Sequence, residues 1–222
     1  MIWLALLATI PASLQFGDPI GNVSEWIRSS DNVQAQANGK VLFKVIFNPQ
    51  GMPDRCIIVQ REGDASIDAL VCELIFKRFR SHPSRGADGQ PTYMIMERSA
   101  VFTTGKSGGT GLRSQPLTVT DITQSLAPKD DGKRMALAVA VNAEGGVLKC
   151  APTQWAKKKD ISLAEAACRS LPAGWKAARE FNTAGEPIAY LRGFNIEFRH
   201  PTSACHMADR CDQVYNGGRP LP

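Results

Sequence analysis

Residues 41–47 fall into two interleaved sets, with Val41, Phe43, Val45 and Phe47 in one and Leu42, Lys44 and Ile46 in the other. A period of two predicts a strand with one buried face. Turn chemistry follows in Asn48-Pro49-Gln50-Gly51, so a second strand over 54–60 is expected to return antiparallel as a hairpin. The period then changes: Ile67, Leu70, Val71, Leu74 and Ile75 stand at i, i+3, i+4, i+7 and i+8. That spacing predicts a helix with one apolar face, and Ser66 is placed to cap it. A loop containing Gly89-Gln90-Pro91 leads to a last strand over 93–102.

The whole succession recurs. Met135, Leu137, Val139 and Val141 alternate with Ala136, Ala138 and Ala140, a second set unusually small for a solvated face and suited to packing against something. A turn at 142–146 and a strand over 147–153 follow. Ser162 and Glu165 form a capping-box pattern ahead of Leu163, Ala166, Ala167 and Leu171. Pro172 stops that helix, and Gly185-Glu186-Pro187 precedes a strand over 188–198. Asn48 and Cys56 map onto Asn142 and Cys150 at an offset of 94, whereas Cys72, Phe79 and Phe102 map onto Cys168, Trp175 and Phe198 at 96. One two-residue insertion between the cysteines is the only net change, so the chain is a duplication of residues 41–102 as 135–198. The predicted class is α+β: two tandem small lobes, each a three-stranded antiparallel sheet with a crossover helix. With the first strand central and a right-handed crossover, the second and third strands of each lobe become edges, where Glu97, Arg98 and Arg192 would blunt the third strands without closing them.

Lobes of about 80 residues have thin cores, and six cysteines in 222 residues suggest that disulfides add to them. Repeat equivalence and local spacing pair Cys56 with Cys72, Cys150 with Cys168 and Cys205 with Cys211. Each of the first two bridges would staple a helix to the second strand of its lobe. A zinc site from Cys205, His206, Cys211 and His200 is the alternative for the tail, but the spacing matches no common zinc module. The apolar run 2–10 followed by Pro11-Ala12-Ser13 reads as the core and cleavage zone of a secretory leader, taken as residues 1–18. A buried N-terminal strand or helix is the other reading. The run is too short to span a bilayer, which takes about 20 apolar residues. The expected plan is a leader, a first lobe at 19–103, a Gly-rich linker at 104–117, a second lobe at 118–199 and a tail at 200–222, with the protein exported to the periplasm and no membrane span after leader removal.

The net charge of +5 is scattered apart from Lys157-Lys158-Lys159, which has Trp155 as its aromatic neighbour. Nucleic-acid surfaces interleave more stacking groups with their charge, so no nucleic-acid partner is expected. Gly105-Lys106-Ser107 ends a loosened phosphate-loop pattern, but it lies at the seam between repeats with no apolar-periodic helix after it, and reads as linker. His82 is isolated, and Asp68 and Glu73 fall on helix surfaces without a nucleophile. No catalytic residue, metal ligand or cofactor site is expected, and the protein is read as not an enzyme.

With these landmarks in place, both lobes resemble the C-terminal domain of TonB-type energy transducers. The pattern comprises Gly39-Lys40-Val41, alternation to Asn48-x-x-Gly51, Cys56, Ile67-Asp68, Cys72, Arg78-Phe79 and Gly89-x-Pro91, with Trp26 to Asp31 as the lead-in. The resemblance implies the fold and a protein partner in the cell envelope, with an outer-membrane transporter as the type suggested. Asn32-Val33 stand where the family carries Tyr-Pro, and neither the family's membrane anchor nor its Pro-rich segment is found, so motor-driven energy transduction is not implied. Two readings stay open: a binding module that captures an extended segment by strand addition, linked to transmembrane transport, and a structural envelope protein whose two lobes close as a pseudo-dimer.

Overall fold

The computed structural model describes residues 14–21, 26–28, 30–31, 38–102, 111–113, 134–169, 171 and 174–197. Residues 1–13, most of the linker, and the tail with Cys205 and Cys211 lie outside the described residues. Alternation produces strands where it is strongest: β1 (Gly39–Phe47), β2 (Pro53–Gly63), β4 (Pro91–Phe102), β6 (Arg134–Val141), β7 (Val147–Pro152) and β10 (Tyr190–Glu197). Shorter strands are β3 (Ser84–Arg85), β5 (Gly111–Arg113), β8 (Glu180–Phe181) and β9 (Pro187–Ile188). The helices are α1 (Ser66–Arg78) and α2 (Ile161–Arg169). The class is mixed α+β, mostly strand, with two short helices.

Both expected helix caps differ. Ser66 is the first helical residue, and its N–H donates to the Asp64 carboxylate at 2.7 Å, so the acid two residues upstream satisfies that group. Ser162 is the second residue of α2, because a 3-10 turn at Lys158–Asp160 starts the helical path earlier. The turns repeat atom for atom. Asn48 Oδ1 accepts from the N–H groups of Gln50 and Met52, and Asn142 Oδ1 from those of Glu144 and Gly146. Gly51 and Gly145 take φ of 80° and 84°, a region that favours glycine.

The main strands form one sheet in the order β2-β1-β4-β10-β6-β7, with β3 and β5 also paired to β4. Each copy contributes an antiparallel trio with its first strand central. The third strands are not edges: Tyr93, Met94 and Ile95 of β4 pair in parallel with Tyr190, Leu191 and Arg192 of β10. Because two equivalent strands meet in parallel, an approximate twofold runs along the seam and exchanges the two faces of the sheet. The helices therefore lie on opposite faces.

This exchange explains the core. On the α1 face, Val41, Phe43, Val45 and Phe47 pack with Ile67, Val71, Leu74 and Phe79, and the second copy adds Ala138, Ala140 and Leu191. On the α2 face, Leu137, Val139, Val141, Ala164 and Ala167 pack with Tyr190 and Phe194, and the first copy adds Ile46 and Ile95. β10 thus donates Leu191 to the first copy's core, and β4 donates Ile95, with half-buried Tyr93 beside it, to the second's. The small alanine face of β6 is covered by a strap that carries buried Leu14 and Phe16. Gln15 and Arg85 exchange both backbone hydrogen bonds, at 3.2 and 2.8 Å, and His82 N–H donates to the Asp18 carbonyl. A Cβ on Gly17 would stand 1.8 Å from the His82 carbonyl oxygen, so this approach requires glycine.

Candidate functional site

Polar contacts lock the copies together on the α2 face. Lys44 Nζ donates to both carboxylate oxygens of Glu180, at 2.7 and 2.8 Å, and Arg192 donates to Glu97 at 2.5 Å across the β4–β10 seam. Glu97 and Arg192, readable in the sequence as charges that blunt free edges, are partners inside the sheet. Arg98 donates to the Glu97 carbonyl, and burial pulls its pKa down. The Tyr190 hydroxyl donates to the Ala178 carbonyl at 2.6 Å, and burial, reinforced by Glu180, pushes its pKa up to about 12. Each of these groups is engaged in a contact within the fold, Lys44 with Glu180 and the Tyr190 hydroxyl with the Ala178 carbonyl.

The other sequence candidates disperse. Asp68 is bound by Arg61, and Glu73 by Lys77 four residues on. His82 enters the strap pairing through its backbone. Trp155 stacks on Phe16 at 5.4 Å, which ties the Lys157–Lys159 loop to the strap. Cys56 and Cys72 stand at disulfide distance with Cα atoms 5.6 Å apart, and Cys150 and Cys168 at 5.5 Å. Among the described residues no group of three or more His, Cys, Asp or Glu could hold a metal ion, and no helix is long and apolar enough to cross a membrane.

What remains is the pair of outer strands. β2 and β7 end the sheet path, each laddered on one side, and just before β7 Gly146 forms an antiparallel bridge with Lys176 while Ala177 N–H donates to the Gly145 carbonyl at 2.9 Å. β2 is already engaged at its start: Asp54, skipped in the ladder with β1, accepts from Thr183 N–H at 2.9 Å and from its hydroxyl at 2.6 Å. The equivalent residue of β7, Leu148, is likewise skipped in the ladder, and it is 57% exposed.

Beside Leu148 lies a groove of about 580 Å³. Its origin is a difference in helix length. α1 runs 13 residues to Arg78, whereas α2 stops after 9 at Arg169, three positions before Pro172. Proline cannot supply a helical N–H and biases its predecessor away from helix. The space next to β7 is lined by Val147, Leu148, Leu171, Trp175 and the Cys150–Cys168 pair, with Lys149, Arg169 and Lys176 as its charged lining. The groove escaped the sequence reading, although Pro172 was its signal, because its existence depends on which turn of helix is missing against β7. No family model, curated protein or solved structure matches the chain.

Proposed function

We propose that the protein is a non-enzymatic binding module of the cell envelope, exported to the periplasm and built of two tandem lobes like the TonB C-terminal domain. It captures an extended segment of an envelope protein, with an outer-membrane transporter as the partner type the resemblance suggests, by strand addition. The observation that carries this reading is β7, an outer strand with exposed Leu148 beside an apolar groove. The strap supports it too, since residues 14–19 already join the first copy by backbone pairing, through the isolated bridges Gln15–Arg85 and Pro19–Ser81. Buried Leu14 and Phe16 support a leader boundary before Leu14, in the cleavage zone 11–13, rather than after residue 18.

The test is a proline scan of Leu148, Lys149 and Ala151, with partner capture from envelope extract as readout and circular dichroism as the control for fold. Proline removes an edge N–H, so capture is lost at an outward-facing position while the fold persists. Capture unchanged at every position rejects strand addition at β7. The β4–β10 seam favours a second reading, in which the closed pair of lobes is itself the structural product. Its signature is a folded protein that captures nothing through either outer strand.

A further inference from the structure

The two copies keep the same cysteine pair but not the same helix beneath it. At the offset of 96, Leu70, Val71 and Leu74 map onto Ala166, Ala167 and Ser170, so the second helix has lost three branched apolar side chains. α1 is held on its sheet without help from sulfur: it buries Ile67, Val71, Leu74 and Ile75, and Arg61 of β2 binds Asp68. Among the described residues, α2 buries only Ala164 and Ala167, with Leu163 half-buried beside them. Its nine residues also fall short of the about 12–15 that let a helix persist alone in water. The bond from Cys168 to Cys150 is therefore the main tie between α2 and β7.

We infer that Cys150–Cys168 is a reducible clasp, opened by a dithiol donor, whose opening releases α2 while the first copy stays closed. Both cysteines line the groove beside β7 and are half-buried. A thiolate of the donor attacks one sulfur; the Cys150–Cys168 bond breaks, a mixed disulfide forms, and the other cysteine leaves as a thiolate that takes up a proton. The donor's second thiol then displaces the first cysteine, so the protein ends with two thiols and the donor with a disulfide, two electrons and two protons having passed between them. Cys56 and Cys72 are half-buried as well, so exposure does not separate the bridges. Packing does: a docked α1 keeps its two thiols facing each other and favours the bond re-forming, whereas a released α2 carries Cys168 away from Cys150. Release also takes Ala164 and Ala167 out of the cluster with Leu137, Val139 and Val141, baring part of that apolar face.

The test is graded reduction of the oxidised full chain in mixtures of reduced and oxidised dithiothreitol, with free thiols trapped by N-ethylmaleimide and mapped by peptide mass spectrometry. Cys150 and Cys168 should be trapped at a ratio of reduced to oxidised reagent at least about tenfold lower than Cys56 and Cys72. Where only the second pair is open, hydrogen exchange at amides of α2 should quicken at least about tenfold, while α1 and the β4–β10 seam keep their protection. Simultaneous reduction of both pairs, earlier reduction of Cys56–Cys72, or α2 amides that stay protected beside free Cys150 and Cys168 overturns the inference. The variant Cys150→Ser/Cys168→Ser holds the opened state without reductant and should show the faster exchange in α2 with α1 unchanged. Loss of protection throughout that variant overturns the inference too, because the bond would then hold the whole fold rather than one helix.

Discussion

Replacing Lys44 by Met removes a charge that ties the two copies together. The Lys44 side chain is 16% exposed and that of Glu180 7%, and the ammonium meets both carboxylate oxygens. Lys44 also stands directly opposite Glu97 in the β1–β4 register. Truncating one partner of a buried pair costs about 3–5 kcal/mol, because the other charge stays in a dry site. Partial solvent access at Lys44 lowers the expectation to about 2–3 kcal/mol. The double replacement Lys44→Met/Glu180→Leu removes both charges at similar volume and is expected within about 1 kcal/mol of the parent, or above it. In a chain of 222 residues, 1 kcal/mol shifts Tm by about 2–4 °C. Lys44→Met should therefore lower Tm by roughly 4–12 °C, and adding Glu180→Leu should recover most of it. Urea unfolding of the four proteins at pH 7, with disulfides intact, gives the coupling energy. A value below about 0.5 kcal/mol, the additivity of sites that do not touch, would refute the contact and with it the fixed arrangement of the two copies.

Three further outcomes follow from single sites. Gly17→Ala should cost about 1–3 kcal/mol by forcing the strap off the His82 carbonyl, and limited proteolysis should then cut near Phe16 where the parent resists. Converting Cys150 and Cys168 together to Ser should lower unfolding free energy in urea by about 3 kcal/mol, the chain-entropy value for a loop of this length; an unchanged midpoint would show that the bridge adds nothing. Burial raises the Asp31 carboxyl pKa, but the Arg78 guanidinium and the Arg28 N–H outweigh it and hold the group below its ordinary value. Its stabilisation is thus present above the unfolded value of about 3.9 and is lost as pH falls through the depressed folded value. Asp31→Asn should flatten the acid limb of a stability–pH curve, and an unaltered limb would contradict the pairing.

Local elements were legible in the sequence because they rest on local periodicity. The alternation at Val41 to Phe47 and the helical spacing from Ile67 to Ile75 both appear as strand and helix. A closing of the two lobes on one another was among the readings, but the strands through which the sheets join were not legible. Glu97 and Arg192 are 95 residues apart, and as isolated strand charges they read as edge protection; only the meeting of β4 and β10 makes them a pair. The alanine face of β6 announced a packing partner without naming it, since Leu14 and Phe16 sit in a stretch whose apolar character suits a leader equally well. The groove lay further out of reach. Pro172 marks where α2 cannot continue, but whether the lost turn opens a space depends on β7 and Trp175 standing around it.

Backbone amide exchange tests strand capture most directly. With the captured partner segment bound to the oxidised full chain, NMR-detected hydrogen exchange should show new protection at the outward-facing amides among Leu148, Lys149, Cys150 and Ala151, while Tyr93 to Ile95 and Tyr190 to Arg192 are already protected in the free protein and do not change. New protection appearing along β4 and β10, with β7 unaltered, would contradict the account by making the third strands the open edges.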